Sequence, residues 1–422
     1  MHMAMVTKQG SKSVQDAAKL LNVSPDTIRR WHKKGLIKAT LGQRGERLFS
    51  LKEINRLIDK SNPKDKTWKV LKAHKSNLNC IELFCGAGGL ALGLHNAGIN
   101  SELLVDFDKD SINTIKKNQP NWNAVCKDVT KLNLNEYQNK IDIMSGGFPC
   151  QAFSYAGKGL GFADTRGTLF YEYIRLIEQV NPKLVIGENV KGLLNHDSGR
   201  TLNVIIRELE NKGYFVTYKI LKAQFLDVPQ KRERLIILGL RNDIKNKIYF
   251  PKEKDYTISV RAALKDVPSS NGQNYTEDKK KIMALVPEGG YWKDLPSKIQ
   301  KKYMGGSFFL GGGKTGMARR LSWDEPSLTL TCNPAQKQTE RCHPSETRPL
   351  TIREYARIQT FPDSWEFTGS TSSQYRQIGN AVPVNLGYHV GLTARTILND
   401  DISKAERISY FIEPGYSNQT LF

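Results

Sequence analysis

The chain has few cysteines. Only six occur among 422 residues, at irregular spacings and without paired CxxC motifs. This usage excludes a small domain held together by disulfides, and it lacks the ligand spacing of a structural zinc site. We therefore predict that the protein binds no metal.

The chain also lacks long apolar runs. No stretch reaches the roughly 20 apolar residues that span a membrane, and the first residues lack the apolar core of a signal peptide. No extended low-complexity tract interrupts the sequence. These absences predict a cytoplasmic globular protein without a membrane partner. Its 422 residues are enough for two or three domains.

Basic residues outnumber acidic ones, and the excess is concentrated near the N-terminus. The formal net charge is +21. Residues 1–75 hold 18 lysines and arginines against 6 acidic residues, a net charge of +12 in under a fifth of the chain. This pattern indicates a basic module that binds a polyanion, joined to a more balanced body.

The basic module has the pattern of two short helices followed by a β-hairpin. Ser13 is expected to cap the first helix, and Ser24 and Pro25 open a second helix that Gly35 ends. Residues 36–50 then predict a two-stranded wing. This order resembles the winged helix-turn-helix domains of the MerR and excisionase type.

The second helix of this module carries the predicted DNA contacts. Arg29, Arg30 and Lys33 lie on it, where a recognition helix presents basic side chains to DNA. The alternative is a small helical module for dimerisation or docking.

From Asn79 onward, apolar strands alternate with helices, which is typical of a parallel sheet with crossover helices. A strand that ends at Phe84 leads into a glycine loop with Gly86, Gly88 and Gly89, and the loop opens a helix. Such a loop lets the backbone approach a nucleotide-like ligand at the helix N-terminus.

Acidic residues follow at the next two strand ends. Asp106 ends the second strand, about twenty residues after the loop, where a carboxylate can accept both hydroxyls of a ribose. Phe107 could stack on adenine, and Asp128 after the third strand could accept from the adenine amino group. Because this set suits adenosine without needing a pyrophosphate, S-adenosylmethionine fits it better than NAD.

A cysteine lies on a tight turn after the fourth strand. Apolar residues 141–144 lead to Gly146, Gly147 and Pro149, which present Cys150 just past the strand. A thiol in this position can act as a nucleophile if its surroundings favour the thiolate. The alternative is a small buried hydrophobic residue, as free cysteines commonly are.

Three charged residues mark two later strands. Glu188 ends a buried strand, and Arg232 and Arg234 alternate at the start of another. Alternation predicts that both arginines lie on one face of their strand. Taken singly, Glu188 could be a solvated carboxylate and the arginines an ordinary basic edge.

Together these segments resemble the DNA (cytosine-5)-methyltransferase family of the bacterial restriction-modification type. The resemblance runs from Asn79 to about Gly387 through six ordered motifs: FCGAGG, GGFPCQ, ENV, QKRER, RPLTIREYARIQTFPDSW and QIGNAVPVNLG. It implies an α/β fold: a Rossmann-like class I S-adenosylmethionine-dependent methyltransferase domain with an inserted irregular target-recognition region, preceded by the small winged helix-turn-helix domain. The expected boundaries are 1–60 for the winged domain, 61–78 for a linker, 79–240 and 347–399 for the catalytic domain, 241–346 for the recognition region and 400–422 for a tail.

The resemblance also implies a chemistry and its residues. Cys150 would add to C6 of a flipped-out cytosine and make C5 nucleophilic, Glu188 would act at N3, and Arg232 and Arg234 would stabilise the developing charge. S-adenosylmethionine is the implied methyl donor. Its predicted binding residues are Phe84, Gly86, Gly88, Gly89, Asp106, Phe107, Asp128, Pro149 and Asn380. The predicted DNA contacts of the catalytic part are Gln151, Ser154, Lys158, Arg166 and Thr329.

Double-stranded DNA is the predicted partner. Residues 241–346 hold 19 lysines and arginines against 12 acidic residues, with interleaved aromatics, which favours a region that reads base edges. The resemblance further implies a cognate restriction endonuclease without direct contact. It implies a monomer, with dimerisation through the N-terminal domain as the alternative.

Other functions stay open at this point. The N-terminal domain either represses transcription of its own operon or only adds DNA affinity. For the whole chain, the alternatives are a tRNA cytosine-5 methyltransferase and a DNA-binding regulator with a degenerate methyltransferase fold.

Overall fold

The chain divides into two compact units, Met1–Lys66 and Thr67–Phe422. The computed structural model describes residues 11–21, 25–33, 37–42, 45–51, 53–54, 67–149, 167–311, 314–399 and 408–412. The predicted linker of residues 61–78 is therefore too long at its C-terminal end, because residues 67–78 belong to the second unit. Trp68 shows why: its Nε1 donates to the carbonyl of Arg357 at 2.9 Å, and the Arg357 guanidinium lies 4.9 Å from the centre of its ring.

The first unit combines helices with a three-stranded antiparallel sheet in which β3 lies between β1 and β2. Its elements are β1 Ser11–Lys12, α1 Val14–Leu20, α2 Pro25–Lys33, β2 Thr40–Leu41 and β3 Arg47–Ser50. Its buried apolar side chains are Ala17, Ala18, Ile28, Ile37, Phe49 and Ile54.

The local signals of the first unit act as the sequence predicts. Ser13 caps α1, because its hydroxyl accepts from the backbone N–H of Asp16 at 3.2 Å. Pro25 begins α2. Ser24 and Gly35 lie outside the described residues. The two helices and the β2–β3 hairpin confirm the predicted order of helix, helix and wing in the described part.

The second unit is built on a seven-stranded sheet with strand order β6-β5-β4-β7-β8-β11-β9. The first five strands in this order are parallel, and β11 runs antiparallel to both of its neighbours. The strands are β4 Asn79–Leu83, β5 Asn100–Asp106, β6 Ala124–Cys126, β7 Ile143–Gly146, β8 Leu184–Val190, β9 Tyr214–Lys222 and β11 Glu233–Arg241. The prediction of an α/β fold with a largely parallel sheet is confirmed.

Two short strand pairs lie beside the main sheet. One is the parallel pair of β10 Gln230–Lys231 with β13 Ser327–Leu328. The other is the antiparallel pair of β12 Ile248–Pro251 with β14 Ile408–Ile412.

Helices connect the strands and form the rest of the second unit. They are α3 Gly89–Asn96, α4 Lys109–Asn118, α5 Gly167–Val180, α6 Arg200–Asn211, α7 Val260–Leu264, α8 Glu277–Met283, α9 Ser297–Met304, α10 Ile352–Ile358, α11 Thr371–Asn380 and α12 Val384–Asn399. Short 3-10 turns span Val129–Lys131, Asn135–Tyr137, Lys191–Gly199, Ala223–Phe225, Trp292–Asp294, Gly305–Phe309 and Lys337–Thr339.

The main sheet is covered on both faces, which explains why its strands are almost continuously apolar. Alternate residues of β4 enter different cores: Ile81 and Leu83 pack with Tyr173 of α5, whereas Cys80 packs with Leu90 of α3. Residues 241–346, the predicted recognition region, have a separate core, whose buried members include Met283, Trp292, Tyr303, Met317 and Cys342.

Helices α3 and α12 pack with their backbones in close approach. A Cβ built on Gly93 would lie 2.6 Å from the Cα of Gly387 and 2.5 Å from the carbonyl oxygen of Val384. No side chain fits at this crossing, so glycine is required there. The crossing fixes the N-terminal end of α3, where the predicted ligand loop begins. None of the helices in the described part of the chain is long and apolar enough to cross a membrane.

Candidate active site

A cavity of about 660 Å³ opens beyond the C-terminal ends of β4, β5, β7 and β8. Ligands of open α/β sheets commonly bind at this edge. Its lining residues are Glu82, Phe84, Cys85, Gly86, Gly89, Leu90, Asp106, Asp108, Ser111, Gly147, Phe148, Pro149, Glu188, Asn189, Val190, Arg234, Arg376, Gln377, Gly379, Asn380, Ala381 and Val382. The cavity thus brings together residues that are about 300 positions apart in the sequence.

The glycine loop and Asp106 form one side of this cavity. Phe84 and Gly86 have positive φ angles of 56° and 51°, which turn the chain sharply between β4 and α3. The backbone N–H of Gly86 donates to Asp106 Oδ2 at 2.7 Å, and that of Asp108 donates to Oδ1 at 2.8 Å. Burial raises the pKa of the Asp106 carboxyl above its ordinary value. The loop is therefore held by the same carboxylate that was predicted to bind a ribose.

Residues 379–382, at the C-terminal end of α11 and directly after it, close the cavity against the start of α3. A Cβ built on Gly89 would lie 2.4 Å from the carbonyl oxygen of Val382 and 2.9 Å from the Cβ of Ala381. Asn380 of the same segment accepts from the thiol of Cys332, Sγ to Oδ1 3.0 Å. The C-terminal segment and the glycine loop therefore form one wall.

The cavity gathers six of the nine predicted cofactor residues: Phe84, Gly86, Gly89, Asp106, Pro149 and Asn380. Gly88, Phe107 and Asp128 lie outside its lining. Gly88 is the N-cap of α3 with φ +83°. Phe107 directly follows β5 and is 79% exposed, so its ring face is accessible. Asp128 is partly exposed and caps the turn Val129–Lys131 through Thr130, whose N–H lowers the pKa of that carboxyl.

The predicted catalytic pair of Glu188 and Arg234 meets in this cavity. Arg234 Nε lies 2.7 Å from Glu188 Oε1, and the two side chains are only 11% and 13% exposed. The antiparallel pairing of β8 with β11 sets this contact, because Ile236 lies opposite Glu188 and Arg234 opposite Val190. Burial lowers the pKa of Arg234, and the adjacent Glu188 carboxylate opposes that effect.

Asn189 positions the turn that leads to Cys150. Its Nδ2 donates to the carbonyl of Phe148 at 2.9 Å, while its Oδ1 accepts from the N–H of Val190. Gly147 stands in the same turn, where a Cβ would lie 3.0 Å from Glu188 Oε2. The turn is therefore tied to the strand that carries Glu188. Cys150 and the predicted DNA contacts Gln151, Ser154, Lys158 and Arg166 lie outside the described residues.

Arg232, which is predicted to stabilise developing charge together with Arg234, makes its hydrogen bonds to the backbone. The strand is interrupted at Arg232, between β10 and β11. The Arg232 side chain is 1% exposed, and its guanidinium donates to the carbonyls of Leu330, Gly379 and Ala381 at 3.2, 3.1 and 3.0 Å. Burial and the neighbouring Arg234 lower its pKa to about 9, which still leaves it protonated at neutral pH.

The predicted DNA contacts that the structure describes lie at the surface. Thr329 is partly exposed, and its hydroxyl donates to the carbonyl of Lys231 at 2.9 Å. In the first unit, Arg29 and Arg30 are exposed on α2, and Arg29 pairs with Asp26. The side chain of Lys33 lies outside the described part.

Four ionisable residues of the cavity lining were not predicted: Glu82, Cys85, Asp108 and Arg376. Glu82 lies on β4 and is 3% exposed; burial raises its pKa to about 8, and the hydroxyl of Ser145 donates to it at 3.3 Å. Arg376 of α11 lies 3.7 Å from the Asp108 carboxylate. Glu82 is two residues before Phe84, and Arg376 is four residues before Asn380. Spacing along a strand and along a helix could have indicated both.

The arrangement supports polar chemistry. It provides a buried carboxylate with a guanidinium at 2.7 Å, and a glycine turn that leads to Cys150. Within the described residues, no group of three or more histidine, cysteine or acidic side chains is placed to hold a metal ion.

Sequence families agree with this division of the chain. Residues 78–394 match the family described as C-5 cytosine-specific DNA methylase. Residues 13–62 match the family described as Helix-turn-helix domain.

Several curated relatives are similar over nearly the whole chain. The Type II methyltransferase M.Eco47II of Escherichia coli is 51% identical over 408 residues, which cover 93% of this chain and 97% of the relative. The Type II methyltransferase M.PspPI of Psychrobacter sp. (strain TA137) is 51% identical, with coverage of 90% and 95%. The Type II methyltransferase M.Sau96I of Staphylococcus aureus is 52% identical over 76% of each chain.

Solved structures share the fold. A protein described as a DNA modification methyltransferase encoded within an Escherichia coli prophage matches with a TM-score of 0.58 and 26% identity, covering 76% of this chain and all of the other. The S. pombe Dnmt2 methyltransferase matches with a TM-score of 0.51 and 20% identity, covering 76% of this chain and 99% of the other.

Proposed function

Because the chain belongs to the family of C-5 cytosine-specific DNA methylases, we propose that it methylates C5 of a flipped-out cytosine at a specific site in duplex DNA. Cys150 is the proposed nucleophile. The chain is similar to Type II methyltransferases over 93% and 90% of its length. This similarity supports a place in a restriction-modification system with a cognate endonuclease.

The observation that carries this proposal is the buried pair of Glu188 and Arg234 beside the turn to Cys150. Cytosine offers N3 and O2 along one edge, and a carboxyl group next to a guanidinium matches that edge in hydrogen-bonding pattern. The two side chains are held 2.7 Å apart on neighbouring strands, so they are set before substrate arrives. Because these two groups are positioned in advance, they can stabilise the charge that develops on the cytosine ring.

The cavity residues fit S-adenosylmethionine. The volume of about 660 Å³ is in the range of small-molecule sites. We propose that the Asp106 carboxylate at the end of β5 binds the ribose hydroxyls, Phe107 the adenine face and the N-terminal end of α3 the polar part of the ligand. S-adenosylmethionine, when bound, supplies an electrophilic methyl group. We propose Asp128 as an acceptor for the adenine amino group.

The residues of this chain make the cytosine reactive. The Cys150 thiolate forms a bond to C6, and the electron pair of the C5–C6 double bond moves into the ring towards N3 and O2. Glu188 and Arg234 stabilise the negative charge that develops at these two atoms. C5 is then nucleophilic and takes the methyl group. A base removes the C5 proton, the double bond forms again and the thiolate leaves. Stacked bases hide C6, so the cytosine must leave the helix first.

The proposed protein contacts with DNA come from both units. In the second unit they are Gln151, Ser154, Lys158, Arg166 and Thr329. In the first unit Arg29, Arg30 and Lys33 contribute phosphate or base contacts, which give this domain either a regulatory role at its own promoter or additional DNA affinity. We propose a monomer in solution.

Bisulfite sequencing of plasmid DNA from cells that express the chain tests the proposal. We expect methylated cytosine at one short motif with the wild type and at none with Cys150→Ser. Glu188→Gln should also abolish methylation, whereas the exposed neighbour change Glu233→Gln should preserve it. A wild-type protein that binds S-adenosylmethionine but leaves plasmid DNA unmethylated would contradict the proposal, and cellular RNA would then be tested as substrate.

A further inference from the structure

Arg232 connects two segments that belong to different parts of the second unit. Its Nη1 donates to Leu330 of the recognition region at 3.2 Å, and its Nη2 donates to Gly379 and Ala381 of the segment that closes the cavity, at 3.1 and 3.0 Å. The side chain is fully buried, and in the described residues its Nε has no partner. Arg232 Nη2 also donates to the carbonyl of Asn380 at 3.5 Å, so a single guanidinium holds four carbonyl groups from both segments.

Two buried glutamines complete this connection. Gln230 accepts from the N–H of Leu330 at 2.9 Å and donates to Gln359 Oε1 at 2.8 Å. Gln359 then donates to the carbonyls of Ile378 and Ala381 at 2.7 and 3.0 Å. Both side chains are fully buried. We call Arg232, Gln230 and Gln359 the QRQ clamp.

The two clamped segments touch each other directly as well. A Cβ built on Gly379 would lie 2.3 Å from the carbonyl oxygen of Thr331. Beyond them, Gly379 and Ala381 line the cofactor cavity, and Leu330 follows the partly exposed Thr329. A shift of either segment therefore requires a shift of the other or the loss of several buried hydrogen bonds, each costly in a low-dielectric interior.

We infer that the QRQ clamp couples the cofactor cavity to the recognition region, so that each ligand changes the affinity of the other. Arg232 acts as a positioning residue in this scheme and touches neither ligand. The inference rests on the proposed function, because it takes an S-adenosyl ligand and duplex DNA as the two ligands. Coupling of this kind is reciprocal, and typical factors are about 5- to 150-fold.

Arg232→Lys is the sharpest test of the clamp. Lysine keeps the positive charge but has one ammonium group, so it cannot hold carbonyls on two segments in the fork geometry of a guanidinium. The matched control is Arg241→Lys, the same change on β11 at the opposite end of the strand. Arg241 pairs with Asp243 and donates to Asn181, away from both clamped segments.

The measurement is the affinity for S-adenosylhomocysteine by titration calorimetry, with and without saturating duplex DNA that carries the methylated site. We expect at least tenfold tighter binding in the presence of DNA for the wild type and Arg241→Lys. For Arg232→Lys we expect a ratio below threefold, with affinity in the absence of DNA within threefold of wild type. A purely structural role would lower both affinities and leave the ratio unchanged.

A second variant keeps the test decisive if Arg232→Lys does not fold. Gln359→Met has similar volume but loses the hydrogen bonds to Ile378, Ala381 and Gln230, and we expect the same loss of coupling. Wild-type coupling below twofold, or full coupling in the folded clamp variants, would overturn the inference and leave the proposed function intact. Failure of the wild type to bind S-adenosylhomocysteine would instead contradict the proposed function.

Discussion

Arg234 and Glu188 form an ion pair of 2.7 Å between neighbouring strands, almost out of contact with solvent. Two residues away from Arg234 along the same chain, the equally charged Arg232 donates only to backbone carbonyls. The motif QKRER therefore contains one arginine that lines the cavity, Arg234, and one that binds the backbone, Arg232. Substitutions at the two positions should differ in kind.

Glu188→Gln should remove activity and lower stability. Activity should fall by about 10²- to 10⁴-fold, the usual contribution of general acid–base groups. The free energy of unfolding should fall by roughly 3 kcal/mol, because the buried Arg234 loses its counter-charge. Urea unfolding measures the free energy of unfolding, and single-turnover methylation measures the activity.

Glu233→Gln is the control for this change. Glu233 pairs with Lys191 at 2.9 Å, but these side chains are 36% and 56% exposed. Exposed pairs contribute about 0–1 kcal/mol, so stability and activity should stay near wild type. Equal losses of stability and activity in the two variants would show that the burial of the Glu188 pair does not add to its contribution.

Gly89→Ala should weaken cofactor binding by displacing the closing segment. Its Cβ would lie 2.4 Å from the carbonyl of Val382, which is backbone and cannot rotate away. Overpacking of this kind costs about 1–3 kcal/mol. Gly306→Ala is the control, since nothing lies within 4 Å of its Cβ position. Thermal unfolding and S-adenosylhomocysteine titration should separate the two variants, and similar values would disprove the close approach.

Asp106→Asn should lower cofactor affinity more than turnover. An amide nitrogen would face the N–H of Gly86 or of Asp108, so the loop loses one of its two hydrogen bonds as well as the charge. We expect KM for S-adenosylmethionine to rise about tenfold or more, since about 1.4 kcal/mol corresponds to tenfold. Glu102→Gln, an exposed change on the same strand, should leave KM unchanged. A fall in kcat at constant KM would argue against this role.

Parallel-strand geometry explains how much of the site the sequence predicts. Phe84, Asp106 and Glu188 each stand at the end of a strand, and the ends of parallel strands meet at one edge of a sheet. Their gathering into one cavity could therefore be expected from the motifs and the α/β pattern.

The deviations have local causes. The strand is interrupted at Arg232, and the buried carbonyls that it binds come from segments about 100 and 150 residues later. Glu82 lies inside an apolar strand, and only its spacing of two residues from Phe84 connects it with the predicted site. The segment 67–78 looks like a polar linker, yet Trp68 docks it onto Arg357.

Replacement of both Arg29 and Arg30 by alanine should weaken DNA binding by the full chain. Both side chains are exposed on α2, and the Asp26 pair of Arg29 is too exposed to matter for folding. If they contact phosphates, the slope of log affinity against log salt should fall by about 2. Lys19→Ala on α1 is the control. Fluorescence anisotropy at several salt concentrations measures the slope, and an unchanged slope would exclude phosphate contacts by these arginines.

Glu82 should make the stability of the ligand-free protein depend on pH. Burial raises its pKa from 4.5 to about 8, so between these values the folded state keeps a proton that the unfolded state has lost. The free energy of unfolding should therefore fall as pH rises through this window, with a slope of up to about 1.4 kcal/mol per pH unit from this group. Glu82→Gln removes the titrating carboxyl group and should flatten the slope between pH 5 and 8. Glu210→Gln, at an exposed position, should leave the slope as in wild type. Urea unfolding at half-unit pH steps gives the three slopes. Parallel curves for wild type and Glu82→Gln would mean that this carboxyl is ionised in the folded state, with the Ser145 hydroxyl stabilising its charge.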